Sequence, residues 1–205
     1  MYHGERFNGY THLAGAVMAL GAAAALVALA ALRGDPMRIV SFAIYGTTLV
    51  TLFAISTLYH STRGPRKALF RKLDHVCIYL LIAGSYTPIA LVTLNGEPGW
   101  TLFLAVWALA ILGTAQEIWI AKGQRFTSLA IYLLMGWLGL AAIEPLIAGL
   151  GAHGFSWMLA AGAAYTVGIV FYFFDERFTY WHGIWHCFVL VGSALHYAAI
   201  VQFVA

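Results

Sequence analysis

Seven apolar blocks, separated by short segments rich in charge, Gly or Pro, constrain the fold of this chain more than any other feature. A helix rises 1.5 Å per residue, so about twenty residues cross the roughly 30 Å hydrocarbon core of a bilayer. The blocks cover approximately residues 11–32, 38–60, 75–94, 99–121, 126–148, 155–174 and 183–204. The sequence therefore predicts an all-α membrane protein, a seven-transmembrane helix bundle in which residues 1–205 form one domain.

Composition excludes the soluble classes. The chain is 62% hydrophobic and 9% charged, whereas soluble domains carry about a quarter charged residues to solvate their surface. The net charge of +3 resides in short loops, so it predicts membrane topology and no nucleic-acid partner. Cys77 and Cys187 fall inside apolar blocks and are interpreted as packing thiols, because a secreted disulfide framework places cysteines in outward loops.

The basic residues predict the orientation. With seven spans, the N-terminal tail and the second, fourth and sixth loops lie on one side and carry nine Lys or Arg residues, against two on the other side. Because Lys and Arg are retained in the cytoplasm, the N-terminus is predicted inside and the C-terminus outside. No cleavage-like site follows the first block, which is expected to be a retained span. The nine are Arg6, Arg63, Arg66, Lys67, Arg71, Lys72, Lys122, Arg125 and Arg177.

Four ionisable residues gather at the cytoplasmic face in this topology. His60 ends the second predicted span, Asp74 opens the third, and His182 and His186 open the seventh. Ionisable groups within a membrane are costly and usually face a protein interior or a wet cavity. Three spans therefore converge on one candidate site.

The spacing and type of these residues predict a zinc site. His182 and His186 are four residues apart, which places both rings on one helix face, and Ser56 and His60 share that spacing. Three neutral histidines suit Zn²⁺ and leave its fourth position for water, which is the pattern of catalytic sites. Asp74 is then better placed as a base on that water than as a fourth ligand, and Ser56 as a residue behind or beside His60.

Other interpretations of single residues stay open. A histidine at the end of a span, His12 included, can be interfacial, and Asp74 can be a loop charge or a helix N-cap. His196 lies roughly 15 Å deeper than the site and is interpreted as hydrogen-bonded within the bundle. Glu117 and Glu144 are expected to pair in the bundle or with water.

The motifs resemble those of a known family. Ser56-Thr-Leu-Tyr-His60, the LDH around Asp74, AGSYTP at 83–88 and the HGIWH that begins at His182 are similar to the hemolysin III family. That family is the bacterial branch of the progestin and adipoQ receptors, and the resemblance covers essentially the whole chain. It implies a multi-pass protein of the bacterial cytoplasmic (inner) membrane.

The resemblance also implies chemistry. In the related adiponectin receptors, zinc is held by three histidines that match His60, His182 and His186, and an aspartate matching Asp74 lies near a zinc-bound water. The serine that matches Ser56 belongs to the same motif. The wider group resembles alkaline ceramidases and is regarded as a set of membrane hydrolases that act on lipid amides. The long soluble N-terminal segment of the receptors has no counterpart here, so hormone reception is not carried over.

These arguments favour a zinc-dependent hydrolase of lipid amides or esters, with membrane lipids as partners. The alternative is a membrane sensor or regulator in which zinc stabilises the ends of three helices without turnover. A cytolysin, as the family name suggests, is disfavoured because such toxins travel as soluble chains before they insert. A channel or transporter is also disfavoured, since the sequence has no pair of interrupted helices that would indicate a substrate site.

Overall fold

A computed structural model describes residues 1, 4–120 and 125–205, which form a bundle of α-helices. Two π-helical segments, Ile89–Leu94 and Gln116–Ile120, extend α3 and α4, and a 3₁₀ segment, Leu138–Ala142, joins α5 to α6. The helices are α1 (Arg6–Arg33), α2 (Pro36–Ser61), α3 (Arg66–Pro88), α4 (Gly96–Ala115), α5 (Arg125–Trp137), α6 (Ile143–Phe173) and α7 (Trp181–Phe203).

Six helical segments of the described residues are long and apolar enough to cross a membrane. This confirms the predicted helical membrane protein. The fifth segment, Arg125–Phe173, is 49 residues long and contains both the fifth and the sixth predicted spans. Gly151 interrupts it with φ 69° and ψ 165°, and Arg125 Nη1 donates to Tyr172 O at 3.1 Å. The two arms of the segment therefore run back along each other.

The helices pack around aromatic side chains and small residues. Phe42, Tyr45 and Tyr79 are almost completely buried, and large apolar side chains such as Leu32 and Leu104 are exposed on the outside. A Cβ on Gly46 would lie 2.6 Å from the Ala23 Cβ, so glycine allows α1 and α2 to approach closely, as is common between membrane helices.

The structure corrects two helix starts. Helix α1 begins at Arg6 instead of near residue 11, and α3 begins at Arg66 although residues 63–72 were expected to be a basic loop. Asp74 therefore lies well inside α3, and its interpretation as a loop charge or an N-cap is wrong. Charged residues can occupy the first turns of a membrane helix because those turns lie outside the hydrocarbon. Lys122 and the predicted end of the fourth span at 121 lie outside the described residues.

Asp35 caps the start of α2. Its Oδ1 accepts hydrogen bonds from the backbone N–H groups of Met37 at 3.0 Å and Arg38 at 3.2 Å, and Pro36 occupies the first helical position. Asp35 Oδ2 also lies 2.5 Å from Arg38 Nη1. The backbone N–H of Arg38, above all, lowers the pKa of Asp35 below its usual value.

We expect Asp35→Ala to lower the melting temperature of the detergent-solubilised protein at neutral pH, because the cap is lost. A carboxyl with a lowered pKa stabilises the fold above its unfolded pKa of about 3.9 and ceases to do so as pH falls through the folded value. The gap between parent and variant should therefore be constant above about pH 5 and close below about pH 4. Asp35→Asn, which still caps, is the control. A gap that does not change with pH would contradict the ionised cap.

Candidate metal centre

Three histidines converge where α2 ends and α7 begins. His60 lies in the last turn of α2, and His182 and His186 lie in the first two turns of α7. One ring nitrogen of each lies within 4.8 Å of the others, so these residues could hold a metal ion. His60 and His186 are each 1% exposed. The structure thus brings together the three histidines that the sequence selected.

The free nitrogens of this group fit a zinc ion. Among the residues the structure describes, neither His60 Nε2 nor His182 Nε2 has a hydrogen-bond partner, although both atoms are buried. An unsatisfied buried polar atom costs about 1–3 kcal/mol, so an additional partner is expected there. A set of three imidazole nitrogens is one that zinc binds in proteins, so the donor chemistry suits this ion.

The other nitrogen of His60 contacts the start of the chain. His60 Nδ1 lies 2.6 Å from Glu5 Oε2, and Lys67 Nζ donates to Glu5 Oε1 at 2.7 Å. Burial on its own would raise the pKa of Glu5, but the hydrogen bonds with His60 and Lys67 outweigh it and hold this pKa well below its usual range. Glu5 is therefore an ionised carboxylate at neutral pH.

His182 has a matching arrangement in the α6–α7 connection. His182 Nδ1 lies 2.6 Å from Asp175 Oδ2, and Arg125 Nη1 donates to Asp175 Oδ1 at 2.7 Å. Burial opposes ionisation of Asp175, but the hydrogen bonds with His182 and Arg125 give a net lowering of its pKa. Two histidines of the group thus contact a carboxylate whose other oxygen accepts a hydrogen bond from a Lys or Arg side chain.

The first helix supplies the partner of His186. His186 Nδ1 lies 3.2 Å from the backbone oxygen of Asn8. The His12 ring stacks on the His186 ring with centroids 3.6 Å apart and an interplanar angle of 15°. His12 is 3% exposed, and neither of its ring nitrogens has a hydrogen-bond partner among the described residues. The interpretation of His12 as an interfacial residue is therefore wrong.

Sequence reasoning missed Glu5, Asp175 and Asn8 and placed His12 outside the site. A signal for the first helix was present, because Glu5, Asn8 and His12 recur at intervals of three and four residues and so lie on one helix face. Asp175 offered no such signal, since it precedes α7 in a charged connection that resembles a solvated loop.

A polar cavity of about 400 Å³ adjoins the histidines. Asp74 lines it from α3 and Ser56 from α2. Ser56 is 1% exposed, and its hydroxyl, which interacts with the Asp74 carboxyl, has no other hydrogen-bond partner among the described residues. The cavity can therefore hold water or a ligand group between Asp74 and the histidines. Its other polar walls include His12, His75, Glu117, Arg125, Asp175, His182 and His186.

The contact between His75 and Glu117 forms another part of the wall of this cavity. Glu117, in the π-helical end of α4, lies with Oε1 2.9 Å from His75 Nδ1 and accepts a hydrogen bond from Ser128 Oγ at 3.0 Å. The Tyr172 hydroxyl lies 3.3 Å from His75 Nε2. The expectation that Glu117 pairs within the bundle is met by these contacts.

His196 and Glu144 lie apart from the histidine group. His196 Nε2 is 3.0 Å from Ser85 O, in agreement with the interpretation that it hydrogen-bonds within the bundle. Glu144 is exposed in the first turn of α6, and no contact within the described residues joins it to the bundle. The expectation that it pairs in the bundle or with water stays a prediction.

An apolar cavity of about 150 Å³ adjoins the polar one. Tyr86, Trp137 and Phe155 line it, and His196 reaches it from α7. Five side chains belong to the walls of both cavities, which places the two spaces side by side. These shared residues are Leu52, Ile78, Tyr132, Trp185 and Val189.

Comparison with known proteins identifies relatives over the full chain. The family model described as Haemolysin-III related matches residues 1–197. Hemolysin-3 of Bacillus cereus is 42% identical over 201 residues, which cover 98% of this chain and 91% of that protein. The Hemolysin-3 homolog of Bacillus subtilis (strain 168) is 40% identical, with 96% and 92% covered. The adiponectin receptor protein of Drosophila melanogaster is 27% identical, with 98% and 50% covered.

Gly183 tests the contact between α1 and α7. A Cβ at this position would lie 2.2 Å from Phe7 Cδ1 and 3.0 Å from Asn8 Oδ1. We expect Gly183→Leu to displace the first turn of α1 and to destabilise the protein by about 1–3 kcal/mol. The melting temperature of the detergent-solubilised protein measures this effect. Gly21→Leu is the control, because a Cβ on Gly21 meets no atom of the described residues within 4 Å. Equal behaviour of the two variants would disprove the contact.

Proposed function

The chain belongs to the haemolysin-III-related family, and from this premise we propose that it is a zinc-dependent hydrolase of lipid amides or esters. One observation carries the proposal: a buried group of three histidines opens onto a polar cavity that Asp74 lines. The family is one of membrane proteins, and in our proposal the reaction takes place at the cytoplasmic face of the membrane.

His60, His182 and His186 would hold the zinc ion, since their donor atoms converge and two of them have no other partner. Zinc in an open site of this kind polarises a carbonyl and lowers the pKa of water toward neutrality. The three side chains come from the ends of two helices, α2 and α7, that both pack against α1, which would hold the rings near one another before any substrate arrives.

Asp74 is the proposed general base and acid. Its carboxylate takes a proton from the attacking water as the new C–O bond forms, and returns it to the leaving nitrogen or oxygen as the scissile bond breaks. Such proton transfer contributes typically 10²–10⁴-fold to a rate. Ser56 supports the step through its hydroxyl, which interacts with Asp74 and can hydrogen-bond to water or to substrate in the same cavity.

The two adjoining cavities support an amphiphilic substrate. A polar headgroup with its amide or ester suits the cavity that contains Asp74, and an acyl chain suits the neighbouring space lined by Trp137 and Phe155. The shared wall residues, among them Leu52 and Trp185, are mostly apolar and would lie near the junction of head and chain.

Seven spans and a cytoplasmic N-terminus are part of the proposal. A straight helix over Arg125–Phe173 would be about 70 Å long, more than twice the hydrocarbon thickness, and the interruption at Gly151 supports two crossings. Contacts also support a common side for the N-terminal segment and the second, fourth and sixth loops. These contacts join Glu5 to Lys67, Lys72 to Ile118 O, and Arg125 to Asp175.

A zinc-stabilised sensor is the second candidate function. The histidine group connects the end of α2, the start of α7 and, through Asn8 and His12, the start of α1. An ion in this position would clamp three helix ends without any turnover. The name Hemolysin-3 of the relatives does not lead us to propose cell lysis, because the exposed apolar side chains of this chain suit permanent residence in a bilayer.

We expect the purified protein to contain one zinc ion per chain and the His182→Ala/His186→Ala variant to contain none. Asp74→Asn should keep its zinc and lose about 10²-fold or more in hydrolysis of a long-chain amide or ester. Metal analysis and a lipid-hydrolysis assay in mixed micelles measure the two effects.

The outcomes separate the two functions. No zinc in the parent would overturn both, since each requires the metal. Zinc without turnover above the His186→Ala background, together with an Asp74→Asn strain that keeps the parent phenotype, would favour the sensor.

Single cysteines test the topology in a background of Cys77→Ala and Cys187→Ala. Residues 97, 152 and 176 are exposed. We expect Glu97→Cys and Ala152→Cys to react with a membrane-impermeant thiol reagent in intact cells, and Glu176→Cys to react only after permeabilisation. Labelling of Glu176→Cys in intact cells, or protection of Ala152→Cys, would contradict the seven-span arrangement.

A further inference from the structure

We propose that Glu5 and Asp175 are positioning residues that fix His60 and His182 in the tautomer and ring orientation required for metal binding. The inference rests on the metal site of the proposed function and not on its hydrolytic step. It assigns part of the centre to residues outside the membrane-spanning helices, one before α1 and one before α7.

Hydrogen-bond chemistry leads to this assignment for His60. An ionised carboxylate only accepts hydrogen bonds, so the 2.6 Å contact between His60 Nδ1 and Glu5 Oε2 requires the proton on Nδ1. A neutral imidazole carries one N–H, so Nε2 then keeps its lone pair. That atom is the buried nitrogen without a partner among the described residues. Glu5 therefore makes His60 a ligand through Nε2.

The same reasoning applies to His182. Asp175 Oδ2 lies 2.6 Å from its Nδ1, and its Nε2 is likewise buried without a partner in the described part of the chain. The third histidine, His186, reaches the same state differently, because its Nδ1 lies 3.2 Å from the backbone oxygen of Asn8, which also only accepts. In all three rings, Nδ1 therefore hydrogen-bonds to the protein, and Nε2 is left for another partner.

A basic side chain binds the oxygen of each carboxylate that does not contact the histidine. Lys67 donates to the second oxygen of Glu5 at 2.7 Å, and Arg125 donates to the second oxygen of Asp175 at 2.7 Å. Each chain of contacts therefore runs from cation to carboxylate to imidazole, and the hydrogen bond with the cation holds the carboxylate in place beside the ring. Charge-assisted hydrogen bonds of this length are among the strong ones, so each ring has one preferred orientation.

An ion pair that does not contact a histidine should leave metal affinity unchanged. Glu176 contacts Arg125 at 3.3 Å through a side chain that is 86% exposed, but no described contact joins it to a histidine. It shares the cation with Asp175 and lacks the imidazole, so Glu176→Gln is a matched control for Asp175→Asn. Loss of a carboxylate behind a metal-binding histidine typically costs 10–100-fold in metal affinity, whereas exposed ion pairs contribute little.

The test uses Glu5→Gln and Asp175→Asn in the full-length protein in detergent. An amide of the same shape can accept from or donate to the ring, so it satisfies either tautomer and removes the preference for Nδ1–H. We expect zinc affinity, measured by competition with a chromogenic chelator, to fall about 10–100-fold in each variant and to stay at the parent value in Glu176→Gln. The absorption spectrum of the Co²⁺ form should change in the same two variants.

Nitrogen-15 NMR of labelled histidine in metal-free protein reads the tautomers without any ion. We expect Nδ1–H for His60 and His182 in the parent and a mixture of tautomers for one ring in each variant. Nε2–H in the parent, or variants whose zinc affinity equals that of Glu176→Gln, would overturn the inference. If the parent binds no zinc but its rings are Nδ1–H, the metal function fails while the carboxylate roles stand.

Discussion

The hydrogen bonding of three clustered imidazoles governs how the neighbouring helix ends are assembled. Buried polar atoms need partners, and where the bilayer excludes water most of these come from the chain itself. His60 finds Glu5, His182 finds Asp175 and His186 finds the backbone of Asn8. The contacts of His60 and His186 join the ends of α2 and α7 to the start of the chain. The contact of His182, seven residues from Asp175, holds the α6–α7 connection against the start of α7.

Much of the architecture was accessible from sequence because lipid imposes a simple rule. Apolar stretches of sufficient length must be helical, and α2 and α7 match the predicted blocks to within a few residues, whereas α1 begins earlier than predicted, at Arg6. The first turns of α3 were missed because their residues, such as Arg66 and Lys67, are as polar as a loop. The predicted fifth and sixth spans lie in one segment because Gly151 and its neighbours connect the two arms without a polar loop.

The residues of the site likewise divide into those that the sequence indicated and those that it did not. Histidines are rare in membrane helices, so His60, His182 and His186 stood out, and helical spacing grouped two of them. Glu5 and Asp175 did not stand out, since acidic residues next to a span are usually solvated. Their importance depends on tertiary contacts at 2.6 Å, which no local pattern encodes. His12 was underrated for the opposite reason, because its position near a span end suggested an interface although the helix carries it into the bundle.

The stacking of His12 distinguishes it from the three proposed ligands. A histidine donates to a metal along its nitrogen lone pair, in the plane of its ring. The His12 and His186 rings are nearly parallel at 15°, with centroids 3.6 Å apart, so their lone pairs lie in two separate planes. His12 would therefore pack against His186 and stay outside the proposed ligand set. The polar cavity that Asp74 and Ser56 line would leave room for water or a carbonyl oxygen beside the three histidines.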